Sequence, residues 1–323
     1  FTINGTLQPR NAGNTVRLGK ISGSGTLTGP QSNGGTGNTI YQIGGANVDS
    51  VFSGIISSNT AVTNSLVILH KLGTGRLTLS GASTYTGGTI ISNGAVFVNN
   101  TIGSGFGSGT VTVRSGATLG GSGIISSATT LDSGATLSPG DAIGKLTFNS
   151  TLSLASGSTS RMELNATSVT NDVVKMLGSM TYGGTLIVSN TSGTLAAGQM
   201  FKLFEATSYA GSFSTVSLPT LANPNLAWTN RLATDGTIAV FSTAPTTPPV
   251  FSSVGTDGNN LIMRGSNGTA NASYYLLAAT NVALPMTNWS RLATNQFDVN
   301  GGFSLTNAID PAKNQLFYRL RLP

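Results

Sequence analysis

The sequence predicts an all-β chain: a right-handed parallel β-helix (a β-solenoid) over residues 1–242, a Thr/Pro linker at 243–249 and a small β-sandwich at 250–323. Three observations predict it. Glycine supplies 43 of 323 residues and only 8% of the chain is charged, yet 38% is hydrophobic. That balance suits many short strands joined by tight turns, whereas disorder goes with low hydrophobicity and high net charge. Short apolar/polar alternations recur along the chain, each stopped by Gly, Asn or Ser. One segment, Ser115-Gly-Ala-Thr-Leu119, returns 18 positions later as Ser133-Gly-Ala-Thr-Leu137.

The alternating units come first in the argument. Gly25–Thr28, Arg76–Leu79, Thr110–Val113, Leu146–Phe148, Leu152–Leu154 and Gly184–Val188 each alternate apolar and polar residues over three to five positions. Period two turns one face inward. One such unit cannot bury that face alone, but stacked units make continuous ladders of Leu, Val and Ile. Parallel crossovers favour the right hand. An antiparallel barrel would need longer strands and more regular hairpin signals.

At Thr243–Pro249 three Pro and three Thr in seven residues read as a stiff, extended linker. Beyond it, Leu261–Met263, Tyr274–Leu277, Trp289, Phe297, Phe303–Leu305 and Phe317–Leu322 mark about six strands separated by polar turns. The C-terminal end of the solenoid is expected to be covered by the linker and this second domain.

Residues 71–98 resemble the autotransporter-associated β-strand repeat, a passenger-associated repeat. The motif is carried by Leu77, Leu79, Gly81, Tyr85, Gly87, Gly88, Thr89 and Gly94. Val51–Ser57 resembles the segment that often precedes this repeat, and Gly107–Val113 and Ser138–Gly140 its continuation. Tyr274–Leu277, Ala279–Asn281, Asn288–Ser290 and Phe317–Arg321 are similar to the terminal β-domain of many such proteins. The resemblance implies a β-helical passenger on the surface of Gram-negative-type bacteria, adhesive or structural. Autotransporters end in a membrane barrel. This sequence reaches Pro323 without one, so another export route, or removal of a barrel, is expected.

Chemistry is hard to find. There is no Cys, which excludes a disulfide framework and thiolate metal sites, and a lone His70 precludes multi-His centres. His70 reads as a strand end. Of the ten acids none forms a close sequence pair; Asp132, Asp141 and Glu163 are those a solenoid would bring together across coils, though scattered surface acids are expected. Glycosidic hydrolysis wants two nearby carboxylates. Gly103–Gly109 lacks the Lys-Ser/Thr and the helix of a phosphate loop, and Asp257–Asn260 is a turn with too few carboxylates for calcium. No catalytic, cofactor or metal residues are assigned, and no cofactor is expected.

Net charge is +6. Residues 1–131 hold Asp49 against Arg10, Arg17, Lys20, Lys71, Arg76 and Arg114, a surface that would suit an acidic polysaccharide. No clustered Lys/Arg with interleaved aromatics is visible, so no nucleic-acid partner is expected. No run nears the ~18 apolar residues of a transmembrane helix. Phe1 in place of Met suggests a processed, secreted protein, extracellular or cell-surface.

The expected function is therefore an extracellular structural protein: a self-assembling surface fibre or matrix subunit, with adhesin or polysaccharide binding as the alternative and a polysaccharide lyase below both. Phe1–Leu7 alternates from its first residue without a polar cap. Phe1, Ile3 and Leu7 are the expected assembly interface of a head-to-tail homopolymer; the competing expectation is a strand folded onto its own first coil.

Overall fold

Alternation of inward and outward side chains governs the strands that stack in parallel, as in Val67–Lys71 and Arg76–Leu79. The computed structural model describes residues 1–31, 37–62, 65–243 and 248–322. Residues 244–247, within the expected linker, lie outside the described residues. Two units are present, Phe1–Ser242 and Thr243–Pro323.

In the first unit the chain visits three faces in turn. The first face stacks Thr15–Leu18, Thr39–Ile43, Val67–Lys71, Thr89–Ile91, Val111–Val113, Thr129–Leu131 and Leu152–Leu154, all parallel. The second stacks Ser50–Phe52, Arg76–Leu79, Ala95–Val98, Thr118–Gly121, Thr136–Pro139, Thr159–Asn165, Thr185–Asn190 and Thr215–Ser217, also parallel. The third is split into Thr6–Leu7, Thr26–Leu27 and Ile55–Ile56, then Ile124–Ile125, Lys145–Phe148, Val173–Met176 and Phe204–Glu205. This is a β-helix, and no barrel closes among the described residues.

Register makes the core. On the second face Leu77, Val96, Leu119, Leu137, Ser160 and Leu186 succeed one another inward. On the first, the ladder runs Leu18, Ile43, Lys71, Ile91, Val113, Leu131 and Leu154. The repeated Ser-Gly-Ala-Thr-Leu segment is one coil: Thr118 pairs with Thr136 and Leu119 with Leu137. Its corners stack too, Gly116 N–H donating to the Gly134 carbonyl and Gly134 N–H to that of Gly157, both at 2.9 Å.

The last coil departs from expectation. The parallel stack runs as far as Thr215–Ser217, and residues 226–242 do not continue it. Met200–Lys202, Thr237–Ser242 and Leu226–Arg231 form an antiparallel sheet, and the one-turn helix Leu232–Asp235 packs on Tyr209–Gly211 and Phe204–Glu205. Aromatic side chains fill the space beneath. The Tyr182 ring lies 5.1 Å from Phe204 and 4.9 Å from Phe213, and its hydroxyl donates to the Leu232 carbonyl at 2.9 Å. The unit thus ends in an antiparallel sheet of its own. Edges left bare recruit other strands, and period-two alternation does not encode strand direction, which is why the cap read as more solenoid.

The second unit is a β-sandwich of two antiparallel sheets. One holds Val250–Asp257, Asn260–Ser266 and Phe303–Ala308; the other holds Ser290–Gln296, Ser273–Ala279 and Phe317–Arg321. Met263, Tyr274, Leu276, Phe297, Phe303 and Leu305 meet between them, with Tyr274 and Phe297 ring centroids 4.5 Å apart.

Candidate functional site

Each residue of the repeat motif shapes one coil. Leu77 and Leu79 point inward and are buried. Gly81 turns the chain off the second face where a Cβ would run into the Gly54 carbonyl of the coil before; only glycine permits that approach. Tyr85 is buried, its hydroxyl bonded to that of Thr89, which is buried as well, and burial holds its ionisation far above the ordinary tyrosine range. Gly87 faces the Val67 carbonyl and Gly88 that of Thr110. Gly94 adopts φ 65° with three backbone carbonyls around the place of its missing Cβ. These groups fix backbone-to-backbone stacking; none presents a reactive atom to solvent.

The titratable side chains are tied into the scaffold. Lys71 occupies an inward ladder position between Ile43 and Ile91 and is buried. Its ammonium donates to the carbonyls of Leu72, Gly73 and Asn93 at 2.6, 2.8 and 3.2 Å, and burial brings its pKa down to about 8. Lys71 is therefore no part of the basic surface expected of residues 1–131. Arg76 pairs with Asp141, and Arg114 with Asp132 at 2.9 Å. Three of the six cations expected to attract an acidic polysaccharide, Lys71, Arg76 and Arg114, are thus engaged within the solenoid.

His70 sits at the end of a first-face strand, with Nε2 2.7 Å from the Ser92 hydroxyl; burial lowers its pKa. Glu163 lies on the second face, and the buried carboxylate nearest it is Asp172, which accepts the Gly144 and Glu163 backbone N–H groups at 2.8 and 2.7 Å. Burial raises Asp172 to about 7. Sequence reading did not single it out. Its signal was weak: one acid just before Val173–Met176, in phase with the inward Val174 and Met176. Among the described residues no group of three or more His, Cys, Asp or Glu is placed to hold a metal ion, and no helix is long and apolar enough to cross a membrane.

The expected assembly residues lie at one edge of the stack. Ile3 is buried, Leu7 half-buried and Phe1 69% exposed. The segment docks on its own first coil: Ile3 N–H donates to the Ser22 carbonyl at 2.8 Å, and Thr6–Leu7 pairs with Thr26–Leu27. Its other side is unpaired within the described residues, as is that of Thr15–Leu18.

One cluster escaped the sequence reading, against its expectation that no Arg/aromatic cluster exists. On the outer face of a sandwich sheet Arg291 and Arg319 flank Leu277, and Arg321 lies opposite Tyr275. The Arg291 guanidinium carbon is 4.7 Å from the Tyr275 ring centroid. Alternation in Phe317–Arg321 puts Arg319 and Arg321 on one side; only strand pairing adds Arg291.

Residues 69–96 fit the family model described as Passenger-associated-transport-repeat. The match begins on a first-face strand and ends on the second-face strand of the following coil. No curated protein matches the chain.

Proposed function

From a chain whose solenoid carries a passenger-associated-transport-repeat, we propose a structural, passenger-type protein of the bacterial surface, secreted and displayed outside the cell. The supporting observation is the continuity of the inward ladders through stacked coils, with motif residues spent on stacking. Rigid reach is what such a column supplies. A lyase or hydrolase reading gains nothing from the acids, since Asp132 and Asp141 each answer an arginine.

The finer reading is a fibre or matrix subunit. Thr6–Leu7 and Thr15–Leu18 end their sheets on one side, and Leu226–Arg231 ends the antiparallel cap on the other. Pairing of such edges between copies is a heterologous contact and generates an open filament. Phe1, exposed beside this edge, and Leu7 add apolar surface to the joint, while Ile3 holds the strand in place. Deleting Phe1–Leu7 is expected to abolish fibres in negative-stain images of purified protein. Fibres of unchanged length from the deletion, or none from the intact chain, overturn the fibre; antibody labelling of intact source cells tests display separately.

A further inference from the structure

The three arginines on the outer sandwich sheet form a compact array. Neighbouring strands lie about 4.8 Å apart, so Arg291 and Arg319, one strand either side of Leu277, have backbones about 10 Å apart. Arg319 and Arg321, two positions apart on one strand, are separated by about 7 Å. All three are exposed. No described carboxylate pairs with any of them; Asp310 pairs with Lys313, and Asp298 accepts the Asn300 and Gly302 N–H groups, both at 2.8 Å. The centre of the array is Tyr275, half-buried, in contact with the Arg291 guanidinium.

Positive charge collected without a counter-ion opposes folding slightly through self-repulsion. Its use lies in an external anion. A guanidinium presents a planar fork that matches a carboxylate two bonds at a time, and a half-buried tyrosine offers a face and a hydroxyl. Of the apolar groups near the array, Leu277 and Trp289 are buried, Phe317 is half-buried, and the neighbouring Leu292 and Leu322 are exposed; no aromatic side chain there stands out to enter a bilayer. A stretched chain of sugar rings bearing carboxylates would meet several forks and the tyrosine at once.

We infer that this sandwich face binds an acidic, carboxylate-bearing polysaccharide, through Arg291, Arg319 and Arg321 around Tyr275. The inference rests on the surface-display reading for its setting, since that is where such a polymer is met.

The test uses the purified full chain and immobilised polygalacturonate at about 50 mM salt, where screening is modest. Saturable binding is expected, weakening as salt rises, with none to neutral dextran. The triple variant Arg291→Gln, Arg319→Gln, Arg321→Gln is expected to bind at least about tenfold more weakly at an unchanged melting temperature, since the three side chains are exposed and unpaired. Arg264→Gln, on the other sheet, is expected to change binding less than about twofold. Tyr275→Phe tests the hydroxyl and is expected to retain most of the affinity, keeping the ring and its cation contact. Absence of binding by the intact chain, or equal binding by the triple variant, overturns the inference. So does equal or tighter binding to phosphatidylglycerol vesicles or to single-stranded oligothymidine, which would give the face to lipid or nucleic acid. The assay needs no export, so its failure and that of surface labelling are separate results.

Discussion

At Lys71 the ladder of apolar side chains is interrupted by an amine that cannot leave. Its pKa falls from an ordinary 10.5 to about 8, so between those values the unfolded chain holds more protons than the folded one, and stability rises with pH. Asp172 acts at the other end. Its pKa rises from 3.8 to about 7, so the folded chain holds the extra proton and stability falls as pH climbs through that window. Each group is worth about 3–4 kcal/mol at most. Together they predict a stability minimum near pH 7 to 8, where ordinary proteins are near their best. Thermal melts from pH 4 to 10 are expected to show it; Lys71→Met flattens the alkaline limb and Asp172→Asn the acidic one. A single broad maximum at neutral pH would refute this. Ser160 is a smaller case. It stands between Leu137 and Leu186 in an inward ladder with its hydroxyl buried and unpartnered. An orphaned hydroxyl costs about 1–3 kcal/mol, so Ser160→Ala is expected to raise the denaturant midpoint by about 1 kcal/mol of stability, and a lowered midpoint would count against the assignment.

Among elements, the coil is the unit that sequence reading resolves best. Ser115–Leu119 and Ser133–Leu137 share residues because they share a register, one turn apart. Removing residues 115–132 joins Arg114 to Ser133 and brings Val113 beside Leu154 and Val98 toward Pro139, so the ladders close again. Solenoid stability is a sum over neighbouring coils; the shortened chain is expected to fold with the same β-type circular dichroism, melting somewhat lower. Removing only 115–123 breaks the order of faces and is expected to leave the solenoid unfolded or severely destabilised. Equal behaviour of the two deletions would dismiss the coil as an independent element. The antiparallel strands at 200–242 and the arginine array were not legible for one reason. Alternation tells which side chains share a side of a strand, but not which strand lies beside it or in which direction it runs. Arg319 and Arg321 were visible as neighbours; Arg291 joins them only through its pairing with Leu277.

For the whole molecule, the same distinction separates what was readable from what was not. The all-β class and the parallel stack follow from composition and repeat, because coils contact their sequence neighbours. Several acids, dispersed in sequence, are tied to partners in space: Lys145 and Lys175 lie 3.6 and 3.9 Å from Glu205. With no cysteine in the chain, reducing agent is expected to leave its melting temperature unchanged.

Coil length varies while the ladders do not. Thr118 and Thr136 are partners across a tight turn of the helix, yet Thr185 and Thr215 are partners across a much longer one. The surplus chain goes to the rim, as at the small hairpin where Leu164 pairs with Asn171. Such rims are natural grafting points: a foreign peptide spliced between Thr167 and Ser168 would be carried on the outside of the column, and copies of different cargo could be spaced along it by choosing the turn that bears each one.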